Sequence, residues 1–224
     1  MVKIIAIDGP SGAGKGTISR RLAKKLGFHY LDSGALYRLL GLAAVRHSVD
    51  TSDRNNLPVL AENMDVRFEA FGNGENKVLL EAEDVTIELR NEQTAALASQ
   101  VAAHSEVREA LLIRQRSFVR PPGLVADGRD MGTEVFPEAQ LKLYLTATIE
   151  ERARRRYKQL LEKGESVSLR ALEEQVRSRD ERDMSREVSP LIAAPDAIEI
   201  DTSQLTIQEV LDTVLNIALM RNLM

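Results

Sequence analysis

The stretch IIAIDGPSGAGKGT, residues 4–17, decides the fold. A short apolar run rich in β-branched residues ends at Asp8 and passes at once into GPSGAGKGT, which gathers four glycines in nine positions. Residues 2–7, VKIIAI, have the composition of a strand buried on both faces of a parallel sheet. Behind the loop, Ile18, Leu22 and Leu26 recur every four residues, so a helix follows that Gly27 can close. Gly9, Gly14 and Lys15 therefore fit the pattern G-x-x-x-x-G-K between a strand and a helix, the context a phosphate-binding loop requires. Glycines let successive backbone N–H groups face phosphate oxygens without Cβ atoms in the way, and the helix start adds partial positive charge. Lys15 would reach the β and γ phosphates.

Working outward, HYLD (29–32), GLVAD (123–127), LKLYL (141–145) and AIEID (197–201) are further short strands of the buried type. Helices are expected after each phosphate-loop-like turn, over 149–163 and 169–186, and over 206–222. Ser33 offers an N-cap to a helix whose stripe is Leu36, Leu39, Leu40 and Ala43. Alternating strands and helices give an α/β, three-layer fold with a central parallel sheet that binds ligands at the carboxyl ends of its strands. Between about 51 and 100 the pattern changes: DVRFEAF and NKVLLEA flank GNGE and predict an antiparallel hairpin inside an insertion. Helices near 86–101 and 105–119 follow, the second with Ser105 as cap and Pro121-Pro122 as its stop.

At 224 residues one core, or a core with an inserted subdomain, is expected. A hydrophobic content of 43% with 29% charged residues excludes a disordered chain. The formal net charge of −4 leaves no overall basic surface, which argues against a nucleic-acid partner. There is no cysteine, hence no disulfide, thiolate metal site or cysteine nucleophile. His29, His47 and His104 are far apart in sequence and are expected to be structural or solvent-facing. No run of about 18 apolar residues exists and IIAI is too short for a signal-peptide core, so neither a membrane span nor export is expected, and the location is cytoplasmic.

Three further patterns bear on function. DSGALYR, residues 32–38, repeats the strand, turn and helix arrangement; it reads either as an ordinary capped helix or as a second anion site with Ser33, Tyr37 and Arg38 in reach. DGRD, residues 127–130, closes a strand and reads either as a charged loop paired with itself or as a site in which Asp127 holds magnesium or its water shell while Arg129 and Asp130 point above the sheet. On one helix Leu169, Leu172, Val176, Arg179, Asp183 and Arg186 share a face that starts apolar and becomes charged. That stripe reads either as leaving the core to meet an anionic ligand or as a solvated, salt-bridged end, with Arg177, Asp180, Glu181 and Arg182 charging the other faces. Arg154, Arg155 and Arg156 divide the same way between nucleotide contacts and surface.

With GPSGAGKGT, LDSGALYR, ASQVAA, VREAL, ADGRDMGT and RDERDMSR in order, the chain resembles the bacterial cytidylate kinases over nearly its whole length. The resemblance implies a P-loop kinase fold with a helical lid at about 150–190, and transfer of the ATP γ-phosphoryl group to CMP or dCMP with Mg2+. It divides the chain into a core of 1–32 and 120–224 and a monophosphate-binding region, 33–119, with an insert at about 61–100. It implies ATP contacts at Gly9, Pro10, Ser11, Gly12, Ala13, Gly14, Lys15, Gly16, Thr17 and Arg155. CMP contacts would be Ser33, Tyr37, Arg38, Ser99, Arg108, Arg129, Asp130, Arg179, Asp183 and Arg186, and catalysis would rest on Lys15, Arg129, Arg179 and Arg186. Gly16 stands where a hydroxyl ligand of magnesium is usual, and the hydroxyl comes one place later as Thr17. The metal would then be met by Thr17 and Asp127, largely through water. The family also suggests a monomer.

Two rival readings are a P-loop kinase for UMP, AMP or shikimate, and a GTP-dependent switch. The switch expects N-K-x-D, but the only Asn-Lys pair, Asn76-Lys77, continues as Val78 and Leu79.

Overall fold

A computed structural model of the chain describes residues 2–70, 76–162 and 164–223. These fall into two compact units, one running to Asp32 and resuming at Phe118, the other spanning Ser33–Ser117.

The first unit is built on five parallel strands: β1 (Lys3–Asp8), β2 (His29–Asp32), β6 (Gly123–Asp127), β7 (Leu141–Thr146) and β8 (Ile198–Asp201). Their spatial order is β2-β6-β1-β7-β8. Ile5 lies level with Val125 on one side and Leu141 on the other, which puts β1 at the centre. A strand covered on both faces can be apolar at every position, and Ile4 to Ile7 are all buried. The core joins Ile5, Ile7, Leu143 and Leu145 to Leu22 of helix α1 (Lys15–Leu26) and Val214 of helix α8 (Ile207–Met220). Helix α1 ends at Gly27, whose φ of 67° is the left-handed conformation expected there. Helix α8 begins with a reciprocal box, Thr206 accepting from Glu209 N while Glu209 accepts from Thr206 N. Helices α6 (Ile149–Glu162) and α7 (Leu169–Met184) share a smaller apolar cluster of Ala153, Leu160 and Leu172, with Tyr157, Val167 and Val176 against it.

The second unit holds helices α2 (Ser33–Arg46), α3 (Asn56–Asn63), α4 (Glu92–Val101) and α5 (Ser105–Arg116) and an antiparallel sheet. In that sheet β3 (Val66–Ala70) pairs with β4 (Asn76–Leu80), and β4 with a two-residue strand β5 (Glu83–Asp84). The expected pairing of the hairpin is present, while Phe71 and its turn GNGE lie outside the described residues. The third strand was not legible because two exposed acidic residues carry no periodicity.

Several boundaries differ from expectation. Ser33 is the first residue of α2 rather than its cap, and its hydroxyl donates to Gln115 Oε1 at 2.8 Å. Ser105 is likewise inside α5, with His104 ahead of it. The helix expected from 86 is interrupted: a 3-10 turn, Glu88–Arg90, precedes α4, which Asn91 caps by accepting from Thr94 N at 2.7 Å. Helix α7 stops at Met184, so Arg186 follows the helix instead of lying on it, and Leu169 is exposed. Among the described residues no helix is long and apolar enough to cross a membrane.

Candidate active site

The parallel sheet delivers β1, β2 and β6 with their carboxyl ends together, since Ile7 and Asp32 both lie level with Asp127. The glycine loop leaves β1 immediately after Asp8. Gly9 has a φ of 137°, and a Cβ there would come within 2.0 Å of Leu145 O, so only glycine lets the chain turn this close to β7. Lys15, the first residue of α1, is buried and its Nζ donates to Pro10 O at 2.8 Å. The loop therefore folds around its own lysine. Burial, and then the charge of Arg129, push the Lys15 ammonium down to about 7, against the opposing pull of Asp127 and Asp8.

Asp127 at the end of β6 is buried and accepts from Tyr30 Oη at 2.7 Å. Burial and the charge of Asp32 raise its carboxyl to about 6. A Cβ at Gly16 would stand 3.6 Å from Asp127 Oδ2, so this carboxylate lies beside the first turn of α1. Thr17 follows there, half-buried. These are oxygen donors of the kind magnesium takes, next to a phosphate loop. Among the described residues no group of three or more His, Cys, Asp or Glu could hold a metal by itself. Phosphate and water oxygens would have to complete a coordination shell.

Arg129 and Arg186 converge on Asp183. Arg129 Nε donates to Asp183 Oδ2 at 2.9 Å, and Arg186 Nη2 donates to Asp183 Oδ1. Burial pushes the Asp183 carboxyl up, but Arg129 and Arg186 overcome that and hold it below the ordinary carboxylate range. Arg179, half-buried, lies one helical turn before Asp183, and its charge is felt at Lys15. Thus Lys15, Arg129, Arg179, Asp183 and Arg186, far apart in sequence, form one charged cluster within the first unit. Asp130 beside Arg129 is buried. Arg155 donates to Glu151, to Thr202 O at 2.6 Å and, weakly, to Gly12 O at 3.5 Å, while Arg154 is exposed beside Glu151.

In the second unit Ser33 and Tyr37 are buried on α2, with Arg38 half-buried next to them. Arg108 lies 5.5 Å from the Tyr37 ring centroid and donates to Ala102 O at 3.3 Å. Ser99 Oγ is buried and, among the described residues, has no hydrogen-bond partner.

Sequence reasoning missed several members. Asp8, read only as the end of an apolar run, accepts from Met131 N at 2.9 Å and Gly132 N at 2.7 Å. Burial raises its carboxyl to about 7, with those two N–H groups opposing. Thr202 donates to Ala13 O at 3.1 Å and so supports the loop from β8. Asp180, expected on a solvated face, is buried against Arg152 because α6 covers that side of α7. Steps of four from Leu172 through Val176 reach Asp180, a signal that was available.

A central parallel strand feeding a glycine loop, a buried lysine and a helix, with arginines gathered beside it, defines a P-loop kinase. The comparisons narrow this class. The chain belongs to the cytidylate kinase family, whose model, described as cytidylate kinase, matches residues 5–220. Among curated proteins it is 58% identical to a cytidylate kinase of Pseudomonas fluorescens strain Pf-5, over 95% of this chain and 93% of that one. It is 57% identical to a cytidylate kinase of Stutzerimonas stutzeri over 96% of this chain and 94% of the relative.

Proposed function

We propose that the protein transfers the γ-phosphoryl group of ATP to CMP or dCMP, giving ADP and CDP or dCDP. The observation that carries this reading is the cluster of Lys15, Arg129, Arg179 and Arg186 at the strand ends beside the glycine loop. An oxygen of the acceptor phosphate attacks the γ phosphorus while the bond to the β-phosphate bridging oxygen breaks. A phosphate monoester has its second pKa near about 6, so the attacking oxygen is already anionic and no general base is needed. The protein must instead bring two polyanions into line and neutralise the charge spread over the transferring group.

Backbone N–H groups of Gly9 to Thr17 would cradle ATP, Lys15 would meet the transferring phosphate, and Arg155 would lie on the nucleotide. Phosphate beside Lys15 favours the ammonium form and restores the charge that burial opposes. Ser33, Tyr37, Arg38, Ser99, Arg108, Arg129, Asp130, Arg179, Asp183 and Arg186 would recognise CMP. Arginine suits the phosphate contacts because its fork binds two oxygens and stays charged. Thr17 and Asp127, mostly through water, would hold Mg2+. That ion would supply positive charge to offset the negative charge of the phosphates.

Residues 150–190 would act as a lid that excludes water, the competing acceptor. Hydrogen exchange in 150–190 that a bisubstrate analogue does not slow would count against the lid. A monomer working in the cytoplasm is part of the same reading. The direct test follows ATP consumption with CMP, dCMP, UMP, AMP and shikimate. Turnover with CMP or dCMP well above the others is expected, and none with either sinks the proposal.

A further inference from the structure

Arg152 and Asp180 lie outside every role given above, yet both are charged and buried within the first unit. The two carboxylate oxygens of Asp180 accept from Arg152 Nη1, at 3.0 Å, and from Nη2. Arg152 Nε donates to Ala147 O at 2.9 Å, and Nη1 also donates to Ser11 O at 3.1 Å. The guanidinium thus makes four donations to the protein, two to Asp180 and two to the backbone carbonyls of Ala147 and Ser11. Contact with the glycine loop is also steric, since a Cβ at Gly12 would come within 3.0 Å of Arg152 Cβ.

We propose that Arg152 and Asp180 are positioning residues for phosphoryl transfer: the pair fixes the Ser11-Gly12 peptide of the glycine loop and α7 in one frame. The peptide unit is planar and trans, so a carbonyl held on the outer side of the loop turns the Gly12 N–H the opposite way, toward the cradle. Asp180 follows Arg179 directly and precedes Asp183 by three residues, so holding its carboxylate fixes the face on which α7 presents both. One guanidinium therefore ties the orientation of a donor in the phosphate cradle to the placement of Arg179 and Asp183.

Stability alone is a weak reason for such a pair. Taking both charges out of water offsets much of their attraction, and an apolar pair of similar volume often serves as well. The adjacent cluster of Ala153, Leu160 and Leu172 already joins α6 to α7 by that means. What apolar side chains cannot supply is a donor to Ser11 O.

The inference rests on ATP being the loop's ligand, so its test reads ATP binding by calorimetry beside melting temperature, with turnover on CMP as a separate measurement. Arg152→Met or Asp180→Leu alone strands a buried charge and should lower the melting temperature. Combining them should recover most of that loss. ATP affinity should nevertheless stay between about ten- and a hundredfold weaker in the double variant, with turnover reduced as well. Wild-type affinity and turnover in the double variant would make the pair purely structural and overturn the proposal. Should the double variant not fold, Arg152→Lys keeps the charge and loses the fork. Its melting temperature should stay near wild type while ATP binding weakens roughly tenfold, and unchanged binding would again overturn it. Wild-type protein that binds ATP but turns over neither CMP nor dCMP would refute the acceptor assignment without touching this pair.

Discussion

The two units treat buried polarity in different ways. In the first, charged groups are held by one another or by backbone: Asp183 by Arg129 and Arg186, Asp180 by Arg152, Asp8 by the N–H groups of Met131 and Gly132. In the second, Ser33 is satisfied by Gln115, but the buried hydroxyl of Ser99 has no hydrogen-bond partner among the described residues. A buried, unmatched hydroxyl costs free energy, so a protein that keeps one gains by pairing it with a ligand. The difference is one of charge rather than of hydroxyls, since Ser19 and Thr133 of the first unit also keep hydroxyls buried without a hydrogen-bond partner among the described residues. It teaches that the first unit organises its interior by pairing buried charges, whereas the only charged residue buried in the second, among the described residues, is Arg108.

The most severe break in the first unit should come from Lys15→Ala. Turnover should fall by roughly a thousandfold with the fold intact, measured in a coupled ADP assay with circular dichroism as control. A loss below about tenfold would remove Lys15 from the transition state. Arg129→Ala and Arg179→Ala should each cost roughly a hundredfold, about 3 kcal/mol. Near-normal turnover in either folded variant would exclude that arginine from the chemistry.

In the second unit, the CMP contacts proposed for Ser99 and Ser33 predict opposite balances of stability and activity. Ser99→Ala removes a hydroxyl that bonds to nothing described, so the melting temperature should hold or rise, while kcat/KM for CMP falls about five- to tenfold. Ser33→Ala should instead destabilise by about 1 kcal/mol, because it leaves Gln115 Oε1 buried without its donor. Equal stability losses in the two would erase the contrast.

A further expected effect is in the pH dependence of stability. Asp8 titrates near 3.8 when unfolded and at about 7 when folded, so between those values the folded chain holds a proton that the unfolded chain has lost. Its contribution is present in full below pH about 4 and declines as pH rises to about 7. The difference in unfolding free energy between wild type and Asp8→Asn should follow that decline and flatten above pH about 7. Lys15 has the opposite sign over a higher window: from about 7 to 10.5 the unfolded chain binds the extra proton, so stability rises with pH. A flat difference curve would mean that Asp8 is already ionised throughout.

Much of the first unit was legible because its signals are local. Strand β1, the loop and α1 follow from spacing over residues 2–27, and β6, β7 and β8 from short apolar runs. Arg129 and Asp183 were legible as candidates, but their meeting was not, since 54 positions separate them and only the sheet and α7 bring them together. Arg152 was hidden by its neighbours. In a run that also holds Arg154, Arg155 and Arg156, nothing in composition marks the one that α7 buries. Asp8 was overlooked because its partners are backbone N–H groups, which no side-chain pattern reveals.

The strand order has a last consequence. Strands β2 and β6 are parallel neighbours, and the whole of the second unit is the chain that connects them. A connection of a dozen or so residues with one helix would satisfy that step. Everything beyond this minimum is free of the sheet's own folding requirements. The second unit is in that sense a replaceable cassette: its sequence can change while the strands, the glycine loop and the arginine cluster keep their registers.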